Sequence, residues 1–476
     1  VSVANISQLG SLQLTFPQDT AVNTLQGSIR SEEYAVRNTP GLPVLAIECV
    51  AGLPRVLENR LMNRRLCVRV VSILCGFCIL AAVQLPRHAL GQAAPAAVAP
   101  LPPAVIGNAA ESPADQLSIV TFIKGEYAAL SGADPVAQTA ARKALIAVLP
   151  RGGSAAYFTE FGKAWANTVN AGLAANPPVA VRLNIAIVTA TLTDNGQVTD
   201  APTESVVVAL LGDQEPCVVL WGVRAARPMV QSMLLLGTPG QANPPIATRP
   251  LVGAIVKAVK NNGNSEVAGF VTSDAYTALA VDQIPGQTAA VVQSLVPPLV
   301  NPILDILEFR LSQYKNGVLP SNGGKLGAVQ SPAAEKTIGA FLSAQATPAN
   351  TKRIVQDMLD LLTFLGQRAA LYQNSSYDLA QIRDTLRYTA SALKVLVPSI
   401  AQGQALAWFF PPPPACTPRE MLDHTKAIYP EIHKDPLFSS IPRPADVVPI
   451  EPPPLVDPNK PVAAPGTGGA GTPPAQ

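Results

Sequence analysis

The chain has 476 residues, of which 48% are hydrophobic and 14% charged, with a net charge of +2 at neutral pH. So low a charge excess excludes a chain kept unfolded by self-repulsion, and there is no basic field of the kind that holds nucleic acid. Forty-seven prolines, about twice the ordinary share, predict extended segments beside a packed region.

Residues 1–61 open on Val1 and scatter Gly10, Pro17, Gly27, Pro40, Gly41, Pro43, Gly52 and Pro54 through themselves, which leaves little to build a core. The next stretch, 62–93, has the order of an export signal: Met62, then Arg64, Arg65 and Arg69, an uncharged apolar run from Val70 to Val83, and small residues at Gly91 and Ala93. The run is about 14 residues, short of the roughly 20 that cross a bilayer as a helix, and Pro86 and Arg87 close it. We therefore expect translation to start at Met62, which makes 1–61 a mis-assigned start, and cleavage near Ala94. The expected location is outside the cytoplasm, periplasmic or extracellular as for a bacterial secreted protein; retention of 70–83 as an inner-membrane anchor is the alternative. The Cys75-Gly76-Phe77-Cys78 spacing lies inside the apolar run and is not read as a redox motif.

Residues 94–110 alternate Ala, Pro and Val and read as an extended linker. Helical punctuation begins at Ser112-Pro113-Ala114-Asp115, where a hydroxyl precedes proline and a carboxylate, predicting a helix to about Leu130. Ser331-Pro332, Thr347-Pro348 and Thr417-Pro418 repeat the signal, and Thr417 with Glu420 has capping-box spacing. Ile354, Met358, Leu361, Leu362 and Leu365 share one helical face; Leu379, Ile382, Leu386, Leu393 and Leu396 share another. The run Ser205 to Leu211 is apolar throughout, and its neighbours favour helix over buried strand. The expectation is an all-α domain over 111–443, either an irregular α-solenoid-like helical repeat or a helical bundle. Flanking it are disordered Pro-rich segments, the C-terminal one over 444–476.

Between Asp134 and Leu279 the helices come as short pairs. Ser205 to Asp213 followed by Pro216 to Ala226 resembles a HEAT or armadillo-type repeat, in which an aspartate ends the first helix and a Val-Arg pair with spaced alanines opens the second. Partial copies run from Asp134-Pro135, Val181-Arg182 and Val267. Val219 stands where that family usually has arginine and Gly222 where it has alanine. The resemblance implies stacked helix pairs with Leu220, Trp221 and Val223 inaccessible, and a surface offered to another protein.

Asp423, His424, Glu431, His433 and Asp435 carry the residue types that ligate a divalent ion, and His424 and His433 are the only histidines after the signal. Pro430 and Pro436 interrupt that stretch, so a solvated polar end is the preferred reading. No catalytic, cofactor-binding or metal residue is assigned, and no cofactor. Gly466 to Gly471 spells a dinucleotide fingerprint without the strand and helix it needs. Asn374-Ser375-Ser376 is a glycosylation triplet of the kind that arises by chance. Trp408-Phe409-Phe410 reads as a helix end docked by aromatics. Cys217 and Cys416 are the cysteines left after the signal, and spacing leaves their pairing open. The functional expectation is an exported non-enzymatic protein-interaction scaffold; the alternative is an exported metal-dependent hydrolase using His424 and His433.

Overall fold

The computed structural model describes residues 98–447 apart from 197, 199, 237–245, 247–248, 266, 317–331, 372–375, 401–402 and 411–415. The chain divides between Ala94 and Pro95, and all described residues belong to the second unit. The expected start, signal and most of the 444–476 tail lie outside the described residues, as do Asn374 and the Gly466 to Gly471 run.

Among the described residues there are sixteen α-helices and no strand, so the domain is all-α. In chain order they begin with α1 (Pro103–Gly107), α2 (Pro113–Leu130), α3 (Pro135–Ala147), α4 (Ala155–Ala174), α5 (Val179–Gly196), α6 (Ala201–Leu211), α7 (Pro216–Leu236) and α8 (Pro250–Asn261). They continue with α9 (Ala268–Leu279), α10 (Ala289–Leu295), α11 (Val300–Asn316), α12 (Ile338–Ala344), α13 (Thr351–Leu371), α14 (Ser376–Leu396), α15 (Gln404–Ala407) and α16 (Pro418–His433).

The starts are set by side chains that satisfy amide groups a helix leaves unpaired. Ser112 Oγ accepts from the Asp115 amide while Asp115 Oδ2 accepts from the Ser112 amide, a reciprocal box. Thr417 and Glu420 do the same for α16. Asp134, Ser154 and Asp200 cap α3, α4 and α6. Thr347-Pro348 opens a turn instead: Asn350 Oδ1 accepts from the Thr347 amide and α13 starts only at Thr351.

Packing follows a ladder. Each helix of the pairs α2/α3, α4/α5, α6/α7 and α8/α9 packs on its sequence neighbour and on the helix two positions along. One row runs α2, α4, α6, α8, α11, α13, α16. The other runs α3, α5, α7, α9, the 3-10 turn Pro332–Lys336 and α14. Two apolar clusters fill the space between rows, and adjacent residues on α6 and α7 serve different ones. Val206, Leu210 and Val218 belong to the first cluster; Val207, Leu211 and Val219 belong to the second. That double burial is why the run after Ser205 is so apolar: two of its faces are covered, and the exposed stripe holds only Ser205 and Ala209.

Two boundaries differ from the sequence expectation. The linker is not an extended tether throughout. Pro103 opens α1, Leu101 and Val105 are buried, and Ile106 O accepts from the Ser154 amide. Proline is tolerated at a helix start, and the short apolar side chains between the prolines gain more by packing than by solvation. At the other end, order runs past Arg443: Val447 is buried, its amide donates to Gln367 Oε1, and Gln367 Nε2 donates to Asp446 Oδ1.

Candidate functional site

The rungs of the ladder are built from arginines. Arg182 on α5 reaches Asp213, which follows α6, through two bonds of 2.8 and 3.3 Å, and its third donor meets Pro177 O. Arg142 on α3 donates to Asn184 on α5 at 2.9 Å, and Arg224 on α7 to Asp274 on α9 at 2.9 Å. Arg249 and Glu204 pair between α8 and α6 at 3.3 Å. Each arginine thus reaches from one helix pair to an adjacent one. A planar fork that binds a carboxylate in one orientation adds direction that apolar contact lacks. Burial raises the Asp274 carboxyl pKa above its ordinary value, against the pull of Arg224.

Beyond these rungs α7, α9, α10 and α12 frame a cleft of about 480 Å³. Its walls are apolar: Val281, Val292 and Val296 are buried and Phe341 half-buried. The rim carries Arg227 and Asp282, both exposed, with Gln231, Gln293 and Gln345 between them. Tyr276 borders the cleft from α9; its hydroxyl is buried and has no hydrogen-bond partner. Burial pushes that phenol well above its usual range, so at neutral pH it is a protonated hydrogen-bonding group and not a base. Apolar walls, a mixed-charge rim and convergent amides suit the binding of a side chain or short segment of a partner.

The residues whose types could ligate a metal are not brought together. Nine residues on a helix are two and a half turns, so His424 and His433 leave opposite faces of α16. His424 stacks on Trp408, with ring centroids 4.3 Å apart, and burial lowers its pKa. His433 lies edge-on to Tyr429 at 5.4 Å. Glu431 Oε1 accepts from the Ala405 amide and so ties α15 to α16, while Asp435 accepts from Ser399. Asp423 lies 3.9 Å from Arg419. Pro430 does not interrupt the helix, which continues to His433. Among the described residues no three His, Cys, Asp or Glu side chains are placed to hold a metal ion.

Phe409 is fully buried beside Trp408, as expected of a docked helix end. Cys217 packs with the first cluster and Cys416 with the second, and no disulfide joins them. Trp221 departs from expectation. Val223 is fully buried, but Leu220 and Trp221 are only half-buried, and the Arg224 guanidinium covers the Trp221 ring at 4.8 Å. The buried tryptophan is Trp165, edge-on to Tyr127 and donating to Thr189 Oγ1 at 3.0 Å. Gly222 is accounted for: a Cβ there would lie 3.1 Å from Leu210 C and 3.2 Å from Leu211 N, so an alanine would need the α6 backbone to give by a few tenths of an ångström.

Among the described residues no single helix is long and apolar enough to cross a membrane, although the bent pair Ala289–Leu295 and Pro297–Asn316 meets the length and composition test. Sequence signals for the cleft are weak, because its lining comes from four helices and the segments that flank them, and no short motif spans them. No protein-family model, curated protein or solved structure matches this chain.

Proposed function

We propose that this chain is an exported, non-enzymatic scaffold of the stacked helix-pair type that binds another protein through the cleft framed by α7, α9, α10 and α12. The observation that carries the reading is the ladder: from α2 to α9 the helices pack on those two positions along in both rows, with arginine rungs between successive pairs. Such stacking makes an extended framework whose surface is offered to a partner instead of closing around a reaction centre. The cleft adds a place of suitable chemistry, apolar within and polar at the rim. Export rests on the charged, apolar and small-residue order of 62–93 in the sequence. Amino-terminal sequencing of the secreted protein tests that part, with a start near Ala94 expected and a start before Met62 against it.

Site-specific photocrosslinking in the producing cell tests the cleft. Benzoylphenylalanine at Gln293 or Ala340, on the cleft, should give one and the same protein adduct, whereas at exposed Lys143 on α3 it should give none. Equal adducts at all three positions, or none at the cleft, would reject the assignment.

A further inference from the structure

A second cleft, of about 280 Å³, lies between α11, α13 and the segment 442–445. Glu308 from α11 and Asp357 and Asp360 from α13 line it, and the cations that share the lining, Lys315 and Arg443, are exposed. Asp357 is only 5% exposed, and its Oδ2 has no hydrogen-bond partner. The adjacent Gln356 gives its amide to Asp360, and its own Oε1 is likewise buried without a donor. Arg353, one turn before Asp357, is committed elsewhere, to Glu308 at 2.7 Å and Asp305 at 2.9 Å.

Buried acceptors are normally paired, and here two belong to residues that line one cleft whose cations, Lys315 and Arg443, are exposed. What would complete it carries donors and positive charge. The carboxylates do not converge as a metal site among the described residues, so the charge has to come on N–H groups that can reach separate acceptors. The volume admits a slender chain and little more.

We propose that this cleft binds a small organic cation bearing N–H donors, an alkylammonium or a guanidinium, which satisfies Asp357 Oδ2 and Gln356 Oε1. The cation comes either as a free amine or as the end of a lysine or arginine side chain on a peptide. The charged groups facing Asp357 are Glu308 and Lys315 from α11, Arg353 and Asp360 from its own helix, and Arg443 from the crossing segment. Burial, then Glu308, hold the Asp357 carboxyl up at about 8, so a cation binds best once that proton has left.

Isothermal titration calorimetry on the full chain tests this with n-butylammonium, methylguanidinium, N-acetyl-lysine methylamide and neutral n-butanol. Saturable binding is expected for at least one cation and not for butanol. Affinity should rise by about fivefold between pH 7 and pH 8 and fall roughly tenfold on Asp357→Asn. Butylammonium or methylguanidinium binding without the lysine derivative identifies a free amine as the source, and the lysine derivative binding as tightly identifies a side chain. Should Asp357→Asn fail to fold, Asp360→Asn decides, since its affinity must then drop severalfold. Butanol binding as well as the cations, no saturation by about 10 mM, or a folded Asp357→Asn with unchanged affinity would overturn the proposal.

Discussion

Glu335→Gln is the perturbation that most directly tests how the second half of the domain is held. Arg310 and Glu335 have side chains 1% and 0% exposed and pair at 2.9 Å. Arg310 also donates to Gln313 Oε1 at 3.0 Å and to the Tyr314 hydroxyl at 2.8 Å. That hydroxyl donates to Glu335 Oε2 at 2.9 Å, and Gln313 Nε2 donates to Gly263 O at 2.9 Å. One guanidinium therefore joins α11, the 332–336 turn and the connection between α8 and α9. Burial works against its charge, yet Tyr314 and Glu335 more than offset that, and its pKa lies above the ordinary arginine value.

Gln at 335 keeps the shape and one acceptor but removes the counterion, leaving a buried charge uncompensated. Such single losses cost about 3–5 kcal/mol. The double change Arg310→Met with Glu335→Leu removes both charges, and apolar replacements of similar volume are often neutral. Here the Tyr314 hydroxyl and Gln313 lose partners, so the double variant should fall within about 2 kcal/mol of the parent. Urea unfolding of Arg310→Met, Glu335→Leu and the double variant, followed by far-ultraviolet circular dichroism, closes the cycle, with a coupling of at least about 2 kcal/mol expected. A Glu335→Gln loss below about 1 kcal/mol at unchanged urea slope would mean that water reaches the pair, and the reasoning would fail.

Trp165→Ala should cost roughly 3–5 kcal/mol, whereas Trp221→Ala, half-buried under Arg224, should cost about 1–2 kcal/mol; equal shifts in urea midpoint would refute the burial argument. Gly222→Ala gains about 1 kcal/mol of helix propensity but meets the α6 backbone, for a net loss of about 1–2 kcal/mol. Gly253→Ala, on α8 with nothing near the added methyl, should instead stabilise by about 0.5–1 kcal/mol in the same assay. Asp357 binds its proton more tightly folded than unfolded, so its contribution is full below about pH 4 and is lost as pH rises toward about 8. The unfolding free energy of Asp357→Asn should therefore lack a decline of up to about 1.4 kcal/mol per pH unit present in the parent over that window. Parallel pH profiles would exclude the assignment.

Elements governed by a local rule were legible in the sequence. Ser112 and Thr417 cap because the bonds they make close within four residues, and the stripe from Ile354 to Leu365 is buried, although 361–369 is covered on every face and not on the stripe alone. The misread positions depend on partners distant in sequence. Leu101 and Val105 look like linker until α4 is beside them, and the cover over Trp221 is an arginine turned toward Asp274. Glycine stands at 222 because of Leu210, a contact that residue type alone does not reveal. His424 and His433 share chemistry but not a helix face, which their nine-residue spacing already encoded once α16 was known to continue through Pro430.

The ladder also explains why weak ion pairs are worth having here. Apolar burial between rows is large but non-directional, and small residues such as Ala225 and Ala226, both fully buried, let α7 approach its neighbours without fixing how far it slides. A largely buried arginine pair contributes little net stability beyond an apolar replacement, yet it loses its geometry when one helix shifts by a fraction of a turn. Arg182, with Asp213 on one side and Pro177 O on the other, ties the connection before α5 to the connection before α7. Arg224 and Asp274 then tie α7 to α9, whose Tyr276 and Thr277 line the larger cleft. The position of that cleft is thus set from the first helix pairs onward by rungs whose role is register, while the affinity for the fold comes from the clusters they lie beside.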